Sequence, residues 1–290
     1  MAKKIIAILM AMALVLSFAA CGAKDEKPTE PAESESAAEN TSAPEESSAP
    51  VEESSSEAAS EEATSEEATS EAATEASKAP ATTAEIVEYF NTAVNGVKTD
   101  AKSVTMNYEK ISLAGSTTLP GILNGVLKLL GGADKFLGDQ LAKNSKGKEV
   151  FNGSSAIQGR FPVEGETWAS KLTESDVKSA TCEEKDGKYY ITIVTLSDGK
   201  TADVQHGQGH APKAFNAVLP GVVNDNIPGV AASLVGTATM NYPSSKASIV
   251  VDIETGHVIS ADYFLYWTIN FDKAGAILPF LTNNNYVVTY

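Results

Sequence analysis

Apolar side chains fall along this chain in three regimes. Residues 5–16 are one unbroken run, "IIAILMAMALVL". Between residues 22 and 84 large apolar side chains almost vanish. From Ile86 onward they return, and there they are periodic. The periodic part opens with Thr82 and Glu85 in capping-box spacing. Ile86, Phe90, Ala93, Val94 and Val97 then recur at helical intervals, which predicts an amphipathic helix. A strand is expected over Ser103–Leu113. The following "LPGILNGVLKLLGGADKFLGDQLAK" reads as two helices, or one helix broken at Gly131-Gly132.

The middle of the chain alternates. Asp186-Gly187 and Asp198-Gly199 sit between apolar/polar runs, each a hairpin signal. "FPVEGETW" and "SKLTESDV" predict a turn followed by a capped helix. Toward the end, runs over residues 247–254 and 257–271 flank Thr255-Gly256. The second run places Ile259, Ala261, Tyr263, Leu265, Trp267, Ile269 and Phe271 on one face, with Ser260, Asp262, Thr268 and Asn270 on the other. Such a run exceeds the usual strand length of about five to six residues, so it is expected to bend. A last strand is expected over residues 286–290. The pattern gives an α+β domain, with helices laid on one face of a long, curved antiparallel sheet.

Two short strings recur. "TMNY" occurs at residues 105–108 and 239–242, and "LPG" at 119–121 and 219–221. TMNY precedes LPG in the first half and follows it in the second, so a tandem duplication is excluded. What recurs is a strand carrying Met and Tyr, together with an apolar segment punctuated by Pro and Gly.

Charge separates the regimes further. Residues 22–84 hold 17 acidic residues against 3 lysines, and therefore most of the chain's net charge of −16; residues 85–290 carry only −4. The acidic stretch has loose "SEEAT" echoes and nothing to bury, which predicts a disordered spacer. As a flexible coil its 63 residues reach about 45 Å. No basic patch invites nucleic acid.

Residues 1–20 carry Lys3 and Lys4 before the apolar run and small residues after it, the layout of a secretory signal too short for a membrane span. "FAAC" at Phe18–Cys21, followed by Gly22, resembles the lipobox of bacterial lipoproteins, with Phe18 where that family usually has Leu. The resemblance implies that Cys21 becomes the lipidated mature N-terminus and that the protein is held to the membrane outside the cytoplasm. The organisation expected is a signal peptide over 1–20, a lipid-anchored linker over 21–84 and one globular domain over 85–290. With Cys21 lipidated, Cys182 has no partner for a disulfide and reads as a small buried residue.

Candidate chemistry is sparse. His206 and His210 in "HGQGH" have the spacing of a helical metal pair, but Gly207 and Gly209 argue against a helix and no third ligand adjoins them. Ser175 and Lys178 spell S-x-x-K without the partner motifs of penicillin-recognising enzymes. The chain has no G-x-S-x-G, phosphate loop, complete G-x-G-x-x-G or calcium loop. Neither catalysis, nor a cofactor, nor a metal is expected. Anchor, spacer and α+β domain together resemble the half-barrel lipid carriers (LolA-, LprG- and LppX-like). That resemblance implies a hydrophobic cavity between the sheet and the apolar segments. Its lining would be Ile122, Leu123, Val126, Leu127 and Leu130 from the first segment, Val222, Val223 and Val230 from the second, and Tyr263, Leu265 and Trp267 from the sheet. The ligand would be a lipid or another hydrophobic molecule. The alternative is an envelope interaction module that recognises a protein or a wall polymer.

Overall fold

The computed structural model describes residues 79–129, 131–227, 232, 233 and 235–290, without the side chains of Ile122, Leu123 and Val126. The expected signal peptide, Cys21 and nearly all of the acidic linker lie outside the described residues. Helix α1 (Thr83–Asp100) starts on the predicted capping box. The Thr82 hydroxyl accepts from the Glu85 backbone, and the Glu85 carboxylate accepts from the Thr82 backbone at 2.9 Å. Its predicted apolar stripe is its buried face. Strand β1 (Ser103–Leu113) has the predicted bounds. The LPG segment forms two helices, α2 (Gly121–Lys128) and α3 (Ala133–Asn144). They are divided where Gly131 and Gly132 take φ of 89° and 98°, angles that side-chain-bearing residues avoid.

Strand β2 (Glu149–Asn152) and the short helix α4 (Ser154–Gln158) follow. The predicted capped helix near residue 173 is present only as a single 3-10 turn, capped at Thr173. Asp176 satisfies the Thr173 amide at 2.8 Å and its hydroxyl at 2.7 Å, but the turn ends after Glu174–Asp176, because the β-prone run from Val177 takes over as a strand. β3 (Val177–Lys185) and β4 (Lys188–Thr195) form the predicted hairpin on Asp186 and Gly187, both at positive φ. The second hairpin signal misleads. Asp198-Gly199 lies inside β5 (Asp198–Thr201), which pairs with β6 (Ala238–Tyr242) rather than turning back from β4. Between them, Pro220 opens the short helix α5 (Pro220–Asn224), so both LPG strings lead into a helix. β7 (Lys246–Asp252), β8 (Val258–Phe271) and β9 (Ala276–Thr289) complete the described elements.

Among the described residues nine strands make one open antiparallel sheet in the order β2-β1-β9-β8-β7-β4-β3. β8 is long enough to serve two neighbours. It pairs with β7 along residues 258–264 and with β6 along 268–271, so the sheet forks there. β9 begins ten residues before the predicted last strand and lies centrally, between β1 and β8.

Bulges set which side chains face which way. Met106 pairs with Tyr286 and Tyr108 with Asn285, leaving Asn107 as an extra residue in β1. Val250 pairs with Ser260 and Val251 with Val258, leaving Ile259 extra in β8. An extra residue reverses the alternation beyond it. Ile259 therefore leaves the face assigned to it by period-two counting, and Val258 is buried in its place.

The sheet has a covered face and an open one. Tyr89 of α1 meets Tyr189 edge-on at 5.5 Å, and α3 packs on β1. Polar side chains of α1 hold a long covering segment down. Asn95 accepts from the Ala169 and Ser170 amides at 2.6 and 2.9 Å, and Asn91 donates to the Leu172 carbonyl at 2.7 Å. Lys98, fully buried, donates to the Val163 and Glu166 carbonyls at 2.6 and 2.8 Å, and burial lowers its pKa to about 8. The opposite face stays half-exposed along β4, β7, β8 and β9.

Candidate functional site

The covered face changes character along its length. At one end the inward residues are Ile269, Phe271, Leu278 and Phe280, with Trp267 stacked on Phe280 at 4.3 Å and its indole N–H donated to Thr282 at 3.0 Å. α2 and α5 bring buried Leu127 and Val223 to the core. Further along, the inward residues become Tyr263, Asn284, Tyr286 and Glu109.

Glu109 is there because of the Asn107 bulge. Without the extra residue, strict alternation after Val104 and Met106 would turn Tyr108 inward and Glu109 outward. As built, Glu109 is 1% exposed. Its Oε2 accepts a long bond of 3.4 Å from Asn284, and its Oε1 lies 3.3 Å from the Lys146 ammonium. That contact is an ion pair whose angle does not make it a hydrogen bond, so Oε1 has no hydrogen-bond donor. A paired lysine is what makes a buried carboxylate tolerable. Burial raises the pKa of Glu164, and the nearby Glu109 charge adds to the effect.

Four rings close over this region. Phe161 meets Tyr263 at 6.2 Å and Tyr286 at 5.2 Å, and Tyr263 meets Phe215 at 5.6 Å, all edge-on. Such contacts hold ring positions beyond simple burial. The Tyr286 hydroxyl donates to the Arg160 carbonyl at 3.4 Å, whereas the buried Tyr263 hydroxyl has no hydrogen-bond partner. Burial pushes both phenols above their ordinary pKa.

Of the residues expected to line a cavity, Leu127, Val223, Tyr263, Leu265 and Trp267 are buried and Val222 is half-buried. Leu130 and Val230 lie outside the described residues, as do the side chains of Ile122, Leu123 and Val126. Next to them Leu129 is 88% exposed, an unusual position for a leucine. Sequence reasoning missed Glu109, Lys146, Asn284, Phe161 and Phe215. One signal was available: Val104 and Met106 are even-numbered while Ile111 and Leu113 are odd, a change of phase that needs an extra residue.

The histidines belong elsewhere. Gly207 and Gly209 take φ of 80° and 65°, so "HGQGH" is a loop and the two rings do not share a helix face. His210 Nδ1 lies 2.9 Å from Asp176, which also accepts Lys213 at 2.8 and 2.9 Å. Burial pushes the Asp176 pKa up, but bonds from Lys213, Thr173 and His210 outweigh it and hold the value at about 2. Asp198 accepts from the His210 and Ala211 amides at 2.8 and 2.9 Å, which straps the loop down. His206 carries a buried Nδ1 without a partner, and burial lowers its pKa. Among the described residues no three potential metal ligands converge. Ser175 sits in a turn and Lys178 on β3. Cys182 is free and half-buried rather than fully buried, and burial raises its thiol pKa. No described helix is long and apolar enough to cross a membrane.

No family model, curated protein or solved structure matches the chain.

Proposed function

We propose that this protein is an extracytoplasmic lipoprotein, anchored through Cys21, whose domain binds a lipid-like amphiphile on the covered face of the sheet. The acyl part would lie at the end formed by Trp267, Ile269 and Phe280, beneath the glycine-broken LPG segments. The polar end would point toward Tyr263 and Glu109. The observation that carries the reading is the polarity gradient along β8 and β9, which ends at the partnerless Tyr263 hydroxyl. A face built only to fill a core has no use for an unpaired buried hydroxyl, which costs about 1–3 kcal/mol.

Organic extracts of the full chain from its native host should yield a stoichiometric lipid by mass spectrometry. The stripped protein should take up a fluorescent fatty-acid probe. Leu127→Asp and Val223→Asp should each weaken uptake at least tenfold while the melting transition remains cooperative. If wild-type protein neither releases lipid nor binds the probe, the reading gives way to the interaction module. The anchor is tested separately: Cys21→Ser should leave the membrane fraction, and its retention there would remove the lipidation assignment.

A further inference from the structure

Register places four polar residues side by side on the covered face. Lys146 bridges Glu109, Glu109 pairs with Asn284, and Asn284 pairs with Tyr263. The inward residues of β9 on either side of this row are provided for. Tyr286 donates to the Arg160 carbonyl, and Thr282 accepts from the Trp267 indole. Within the row two buried atoms are not. Among the described residues, Glu109 Oε1 receives no hydrogen bond and the Tyr263 hydroxyl neither gives nor receives one.

The chemistry of those two atoms restricts what can complete them. A carboxylate oxygen only accepts and a phenol does both, so the completing group must carry a donor. Charge then decides among heads. Lys146 already stands 3.3 Å from Glu109 Oε1 as its counter-ion, so an ammonium head would bring a second, uncompensated cation. An anionic head would meet Glu109, and Glu164 lies close enough to feel the same negative charge. Burying an unpaired charge costs far more than burying a bonded hydroxyl. From Asn284 to Leu278 β9 runs about 20 Å, the reach of a long acyl chain, past the pairs Thr282–Leu265 and Phe280–Trp267.

We infer that this row selects an amphiphile with a neutral, hydroxyl-bearing head, of the monoacylglycerol kind, over fatty acids and alkyl amines. The inference rests on the amphiphile reading and adds the class of head. The stripped full chain, loaded with the fluorescent fatty-acid probe at pH 7, is titrated with 1-oleoylglycerol, oleate and oleylamine, each below its micelle concentration. The glyceride should displace the probe at least tenfold more effectively than the other two. Tyr263→Phe should erase about tenfold of that margin, the worth of one hydrogen bond to a buried group. Its melting temperature without ligand should stay at or above that of the wild type, because the deleted hydroxyl has no partner there; a hydroxyl that serves the fold alone would lower it and leave the margin intact. Glu109→Gln should narrow the margin over oleate. Equal displacement by the three heads, a preference for oleate or oleylamine, or an intact margin in Tyr263→Phe overturns the head assignment and leaves the amphiphile reading standing. Failure of the wild type to take up the probe or displace it with any of the three removes both.

Discussion

Thr105–Tyr108 and Thr239–Tyr242 share four residues, both lie in strands, and both bury their methionine. Their tyrosines then part. In β6 the register against β8 runs without a break through Asn241, so Tyr242 faces inward beside Met240. It is fully buried, with its hydroxyl donated to the Val218 carbonyl at 2.7 Å. In β1 the bulge at Asn107 spends one residue without advancing the partner strand. Tyr108 lands half-exposed under the Lys110 ammonium, and Glu109 takes the inward place. The same letters thus yield a core anchor in one strand and a surface ring in the other. The pairing partner decides between them.

The comparison breaks most clearly on the tyrosines. Tyr242→Ala should destabilise the domain by about 3–5 kcal/mol, as large aromatic truncations in cores do. Tyr108→Ala should cost about 0.5 kcal/mol, the scale of a surface change. Urea denaturation of the two variants measures both, and equal losses would refute the bulge. The inward glutamate comes next. Glu109→Ala leaves Lys146 without its counter-ion and should cost about 2–3 kcal/mol, below the figure for a fully buried pair because the Lys146 side chain keeps 11% exposure. Adding Lys146→Met should recover most of that loss; strict additivity in the double-mutant cycle would mean that the pair is uncoupled.

The smallest effect is in the alkaline pH profile. Folded Lys98, at about 8, sheds its proton before an unfolded lysine at 10.5, so between those values the unfolded chain binds more protons and stability rises with pH. Burial raises the phenols of Tyr242, Tyr263 and Tyr286 above 10.0, so beyond that pH the unfolded chain ionises first and stability falls. Melting temperature against pH should therefore climb above 8 and turn down past 10. Lys98→Met should flatten the climb and Tyr242→Phe should soften the fall; a profile that is flat in the wild type would contradict both.

Much of the framework is legible in the sequence. The α1 cap and stripe, the bounds of β1, the Gly131-Gly132 break and the Asp186-Gly187 hairpin all rest on local chemistry that neighbours do not override. β9 was largely hidden, because Pro279 and Asn283–Asn285 read as turn residues. Two of the asparagines find partners there, Asn284 with Glu109 and Asn285 with Asp262, whereas the buried Oδ1 of Asn283 has none. Asp198-Gly199 misled for the reverse reason, its carboxylate being committed to the His210 loop. The candidate site was half legible. Tyr263, Leu265 and Trp267 follow from alternation along β8. Phe161 and Phe215 come from irregular segments, and only the tertiary fold brings them to the rings of Tyr263 and Tyr286.

The central place of β9 also bears on the order in which the sheet can be assembled. Ser103 pairs with Thr289, and β9 binds β1 on one side and β8 on the other. A chain emerging from the ribosome N-terminus first holds β1 and β2 as a two-stranded ribbon, too small to be stable alone. That ribbon gains α3 as a cover, but β1 has no partner strand on its other side until residues 276–289 have been made. Joining the two halves of the sheet thus means closing a loop of nearly the whole domain, and the loop entropy is lost before most of the covered face is buried. The strand that holds the finished sheet together is the one its folding must wait for.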